Sequence, residues 1–190
     1  MTKNITKAHE LSDAFGSLHY PEIDFLIEIA HMLPKGAVCI NIGAGVGNSA
    51  LTILEQRPDL AETFTTVDIS PEAPTGGLQN ERNAFENAGL PIKHTQLLSD
   101  SSKAGRDFQG IADYVFVDGD HNYVACTADI EAWLPKMKIG GIMAFHDFDP
   151  GPWSDTVTAI DAGMKNHQII GQAKALIAYR IMEKPVQDKD

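Results

Sequence analysis

The chain has 190 residues, enough for one domain with its own core, and at 43% hydrophobic and 22% charged it is composed like an ordinary globular protein. Fifteen Lys+Arg stand against 26 Asp+Glu, a net charge of −11 that repels nucleic-acid phosphates and anionic lipid heads. No apolar run can span a bilayer, the first residues (MTKNITKAHELSD) lack the apolar core of a secretory signal, and two cysteines make no disulfide framework.

These features predict a cytoplasmic protein whose partner is a small molecule, not nucleic acid or a membrane. Cys39 falls in an apolar run and Cys126 in a helical one, so both read as small packing residues.

Residues 1–20 read as an N-terminal arm, polar over 1–17 and forming a loose helix or a mobile segment, ahead of a single domain over 21–190. From Pro21 the pattern is helical, with Ile23, Leu26, Ile27, Ala30 and Leu33 recurring at three- and four-residue steps until Pro34 and Gly36 stop it. The apolar run 37–42 predicts the first strand, and a glycine-rich turn follows. A helix over 48–57, a strand over 63–68 and a loop with Pro71 and Pro74 come next. Then come a helix over 77–88, a strand over 92–97, a serine-rich turn and a short polar helix. A strand over 114–118 leads to a helix over 123–134, and Gly140-Gly141 open a strand over 142–146. After Pro150 and Pro152 a helix over 155–165 precedes two strands between His167 and Met182, joined around 171–174.

Alternation of this kind predicts an α/β fold with a doubly wound, mostly parallel sheet. The last connection is too short for a helical crossover, so the final two strands pair as an antiparallel hairpin.

Asn41-Ile42-Gly43-Ala44-Gly45-Val46-Gly47-Asn48-Ser49 joins the first strand to the next helix. Glycines there admit a close ligand and positive φ, and the helix start offers free N–H groups to an anion; a tight turn alone also needs glycine. Asp68 ends the second strand, where an acid accepts from ribose hydroxyls or caps a loop. The spacing Gly-x-Gly-x-Gly differs from the Gly-x-Gly-x-x-Gly of nicotinamide proteins. It resembles the first motif of class I S-adenosylmethionine-dependent methyltransferases, and Asp68 resembles their second. That resemblance implies a seven-stranded, Rossmann-like sheet and S-adenosyl-L-methionine as cofactor, bound by Asn41, Gly43, Gly45, Gly47, Asp68, Ser99, Asp100 and Asp118. Asn41 stands where the family usually has an acid, so a charge near the methionine ammonium is missing. Ser99 and Asp100 follow the third strand, where this fold contacts the adenine edge; Asp100 also suits a helix cap.

The fourth and fifth strands end in Asp118-Gly119-Asp120-His121 and His146-Asp147-Phe148-Asp149, which brings many ionisable groups to one rim. Carboxylates with an imidazole suit a divalent metal; solvated loop acids and satisfied histidines are the plainer alternative. The stretch 114–148, YVFVDGDHNYVACTADIEAWLPKMKIGGIMAFHDF, is similar to the small-molecule and sugar O-methyltransferase branch related to the catechol type. There the residues matching Asp118, His146 and Asp147 bind Mg²⁺, and the histidine matching His121 is the general base. His146 replaces a frequent glutamate, which moves the metal preference from Mg²⁺ towards Mn²⁺, Fe²⁺ or Zn²⁺.

Trp153 walls a substrate pocket or closes a core edge, and Tyr123 and Trp133 read as packing residues. His19 and Tyr20 stand where related enzymes carry a lid; so short an arm leaves room for a homo-oligomer that completes the site. The expected function is methyl transfer to a small-molecule hydroxyl, with Asp118 and His121 as catalytic residues. A non-catalytic adenosyl-binding protein and a nicotinamide-dependent oxidoreductase are the alternatives.

Overall fold

Apolar strands that alternate with amphipathic helices need cover on both faces, and the chain supplies it. The computed structural model describes residues 5–72 and 76–184; Pro74, read into the loop after the second strand, lies outside them. Seven strands form one sheet: β1 (Cys39–Ile42), β2 (Phe64–Asp68), β3 (Thr95–Leu98), β4 (Ala112–Val117), β5 (Met137–Phe145), β6 (Gln168–Ala173) and β7 (Leu176–Arg180). Their order is β3-β2-β1-β4-β5-β7-β6. The first five are parallel, while β7 runs antiparallel to both β5 and β6. The expected seven-stranded sheet with its C-terminal hairpin is therefore present.

Helices α1 (Lys7–Phe15), α2 (Tyr20–Met32), α3 (Asn48–Gln56) and α4 (Leu78–Asn87) belong to one face. Helices α5 (Ser101–Asp107), α6 (Tyr123–Trp133) and α7 (Ser154–Met164) belong to the other. The two-residue period of β4 divides its side chains between them: Tyr114 and Phe116 join the first core, Val115 and Val117 the second. Cys39 and Cys126 are buried and free, and burial pushes both thiols up to about 12. Among the described residues no helix is long and apolar enough to cross a membrane.

Three elements depart from expectation. Of the loose helix and the mobile segment expected at the N-terminus the helix is present, and it is docked: α1 is capped by Thr6 and buries Ala8, His9, Leu11 and Ser12, while the Glu55 carboxylate on α3 accepts from Lys7 N at 3.1 Å. The third strand starts at Thr95 and not at 92, because His94 turns inward, its Nε2 2.8 Å from the buried carboxylate of Glu81. The fifth strand starts at Met137 and contains Gly140 and Gly141; the β4–β5 register shifts between Ala112 and Tyr114, and Gly140 takes φ 85° in that irregularity.

Candidate active site

The strand order reverses between β1 and β4, so their carboxyl ends diverge into opposite crossovers and leave a crevice, the usual ligand position in an open α/β sheet. At its base Gly43 (φ 85°) lies so close to β4 that a Cβ there would overlap the Asp118 carbonyl oxygen. Asp68 braces the same turn: Oδ2 accepts from Ala44 N at 2.7 Å and Oδ1 from Ser70 N at 2.7 Å. Each oxygen keeps a further lone pair for a ligand. The segment before α4 closes over the turn, with Gly77 N donating to Gly45 O at 2.9 Å.

The result is a cavity of about 650 Å³. Gly43, Gly45, Asp68, Ser99, Asp100 and Asp118 line it, as the sequence predicts, with Ser101, Ser102, Gly119, Asp120, His121, Ala125 and Asp129. Two predicted residues do not reach it. Asn41 is buried and turns its amide onto the turn, Nδ2 donating to Gly43 O at 2.9 Å. Gly47 serves packing: a Cβ there would stand 2.9 Å from Glu81 Cα on α4. Asp100 caps α5 as well as lining the cavity, with Oδ1 accepting from Lys103 N at 2.7 Å and Ser102 Oγ at 2.8 Å, and these bonds lower its pKa.

A second, smaller pocket of about 170 Å³ adjoins the first. Ser17 and Leu18, from the connection between α1 and α2, line it with Asn48, Ser49, His146 and Asp147. Gly45, Asp118 and His121 line both spaces. His121 Nδ1 lies 2.9 Å from Asp147 Oδ2, and His146 Nδ1 lies 3.3 Å from that oxygen and 3.4 Å from Asp118 Oδ1. Asp118, His121 and Asp147 each offer a ligand atom within 4.8 Å of the others. His146 faces the same carboxylates, so four donors converge on one corner. Asp147 has φ 56°, a left-handed conformation that a non-glycine residue rarely holds.

The hydrogen bond to Asp147 raises the pKa of His121 above its usual 6.5, against the opposing effect of burial. Burial pushes His146 down, but Asp118, Asp147 and Glu22 outweigh it and lift the imidazole to about 12. Burial raises Asp147, and the two histidines more than reverse that, holding its carboxyl well below the usual range. The His121 ring packs against Trp153, centroids 4.6 Å apart, so Trp153 supports a site residue. Tyr123 is 42% exposed at the start of α6, whereas Trp133 is buried; the packing expectation fails for the first and holds for the second.

Glu22 and Asp129 escape the sequence reading. Glu22 is fully buried on α2, its carboxylate accepting from His19 N at 2.6 Å and Ala175 N at 3.0 Å, with His146 Nε2 3.5 Å away. Burial raises its pKa, and His146 with the two backbone bonds brings it below its usual value. The available signal was an acid on an apolar face, four residues before Leu26.

Comparison with known proteins agrees with this fold. The chain superposes on a protein from Corynebacterium glutamicum with a TM-score of 0.73 at 18% identity, covering 98% of this chain and 94% of that one. A Klebsiella pneumoniae protein assigned as an O-methyltransferase gives 0.69 at 12% identity, covering 96% and 93%. A Podospora anserina methyltransferase with S-adenosylhomocysteine bound gives 0.66 at 17% identity, covering 90% and 82%. At these identities the likeness establishes the fold. No curated protein matches the sequence. The methyltransferase-domain family model matches residues 40–148, the span from β1 through the His146-Asp147 corner, and the chain belongs to that family.

Proposed function

We propose that this S-adenosylmethionine-dependent methyltransferase acts on a hydroxyl group of a small molecule, with His121 as general base and a divalent ion held by Asp118 and Asp147. The observation that carries this reading is the position of Asp118 and His121, which line both the larger cavity and the small pocket. A methyl group passing from one space to the other crosses at those two residues.

The larger cavity fits the donor: a glycine turn permits close approach, and the Asp68 carboxylate beside it suits ribose hydroxyls. Bound there, S-adenosylmethionine supplies a methyl group already activated by its sulfonium, so the chain's main task is alignment. The small pocket, bounded by Ser17, Asn48 and Ser49, suits a compact polar acceptor. Asp147 accepts from His121 Nδ1 and so fixes the tautomer, which leaves Nε2 to take the hydroxyl proton. A tilted contact with the Trp153 ring steadies the imidazole.

The donor set also suits a divalent cation. The Asp118 and Asp147 carboxylates offer oxygen ligands that Mn²⁺ or Mg²⁺ accepts, and a cation on them would displace the proton that pairs His146 with both, freeing its Nδ1 as a nitrogen ligand. Such an ion lowers the pKa of a coordinated hydroxyl. Similarity to the sugar O-methyltransferase branch and to the Klebsiella protein supports oxygen as the acceptor atom.

The test is His121→Ala, assayed with labelled donor over a panel of sugars, polyols and phenols. Turnover should fall about 10²–10⁴-fold, the usual worth of general-base help, with a far smaller change in S-adenosylhomocysteine affinity. The base must be neutral to act, so wild-type turnover should climb with pH as His121 loses its proton; Asp147 raises that pKa, and a cation on Asp147 would oppose the rise. The variant should lack that limb. Near-normal turnover with an unaltered pH profile would rule His121 out as the base.

A further inference from the structure

One ionisable pair has no part in the chemistry above. Glu81, in the first turn of α4, is fully buried, and so is the side chain of His94. Glu81 Oε2 accepts from Thr66 Oγ1 on β2 at 2.9 Å. Its Oε1 accepts from Gln96 Nε2 on β3 at 2.7 Å and lies 2.8 Å from His94 Nε2. Gln96 Nε2 also donates to Leu78 O at 3.0 Å, and Phe64 and Phe85 pack on the His94 ring. A single side chain thus ties α4 to the β2–β3 edge of the sheet. Stability alone is a poor reason for it, since apolar side chains of similar volume often replace a buried pair at no loss. Among the described residues His94 Nδ1 is buried with no partner, which is a further cost. What directed bonds add over apolar contact is a fixed placement of the helix.

That placement bears on the larger cavity. Gly76 and Gly77, which lead into α4, line it. Gly77 N donates to Gly45 O at 2.9 Å, and a Cβ on Gly76 would stand 2.7 Å from Gly45 Cα. Glu81 N in turn donates to Gly77 O at 3.1 Å, and Glu81 Cα lies 2.9 Å from the place a Cβ on Gly47 would occupy. The start of α4 is therefore in direct contact with both ends of the glycine turn. A helix that slides or rotates here carries a wall of the cavity with it.

Resting on the reading of this cavity as the donor site, we infer that Glu81 is a positioning residue for the donor: by pinning α4 to Thr66, His94 and Gln96, it sets the Gly76-Gly77 wall at its working distance from the glycine turn. Glu81 itself touches no ligand and acts through the backbone of those two glycines.

Calorimetry with S-adenosylhomocysteine tests this on the wild type, Glu81→Ala and Glu81→Gln, with urea unfolding of each to show that it is folded during the titration. Glu81→Ala should bind about ten-fold more weakly or worse, since a displacement of roughly 1 Å far from the chemistry can cost on the order of 10²-fold. Glu81→Gln keeps Oε1 as the acceptor for His94 and Gln96 and can donate Nε2–H to Thr66 Oγ1, so it should recover most of the affinity. Should the alanine variant not fold, Thr66→Val takes its place: it removes one link at nearly constant shape and should also weaken binding. A merely structural Glu81 would lower the stability and leave the affinity of the folded protein unchanged. That result, or a glutamine variant that binds no better than the alanine one, overturns the inference. A wild type that binds no S-adenosylhomocysteine overturns the donor-site reading and this inference with it.

Discussion

Asp147 holds two unusual states at once. Its backbone sits at φ 56°, and such strain is typically stored at about 1–3 kcal/mol where a functional position requires it. Its carboxylate is shared by two imidazoles and depressed by both. Left-handed backbone directs the side chain back to the rim, where Asp118 and His146 wait, and not along β5. Asp118→Asn and Asp147→Asn should therefore each weaken Mn²⁺ binding, read from the free-ion signal in electron paramagnetic resonance. The loss should be at least the roughly 10–100-fold that follows removal of even an outer partner of a metal ligand. Wild-type protein that takes up no Mn²⁺ at millimolar concentration would contradict the metal part of the proposal and leave the base untouched.

The N-terminal elements show how a segment distant in sequence completes the site. Helix α2 carries Glu22 into the interior, where one carboxylate ties the start of its own helix, the β6–β7 turn at Ala175 and His146 together. Glu22→Ala removes the charge facing His146 and takes the acceptor from the His19 and Ala175 N–H groups. It should cost about 3–5 kcal/mol in urea unfolding, as breaking a buried pair does; Glu22→Gln, which still accepts hydrogen bonds, should cost less. A variant as stable as the wild type would show that Glu22 is dispensable to this junction. Sequence pattern revealed the alternating strands and helices because their apolar periods are strong, and it revealed the glycine turn and the two acidic strand ends because their residue types are local. It left α1 open between a loose helix and a mobile segment, since its few apolar positions become meaningful only against α3 and its capping box uses His9 where Glu or Gln is the usual signal. It hid Glu22 and Asp129 because their partners stand far along the chain. It placed Asn41 and Gly47 in the cavity since motif position does not say that the Asn41 amide turns onto Gly43 O or that the Gly47 backbone packs against α4.

At the scale of the whole molecule, one reversal of strand order opens a donor-sized cavity, and the helices added before β1 close a small pocket against it. The central claim is that the larger space holds S-adenosylmethionine. Calorimetric titration of the wild type and Asp68→Ala with S-adenosylhomocysteine, and of the wild type with NADH, tests it most directly. The wild type should bind S-adenosylhomocysteine and not NADH. Asp68→Ala should weaken that binding about ten-fold or more, since it deletes a charged acceptor and loosens the turn at Ala44 and Ser70. No binding of S-adenosylhomocysteine at millimolar concentration, a preference for NADH, or unchanged affinity in Asp68→Ala would contradict the account.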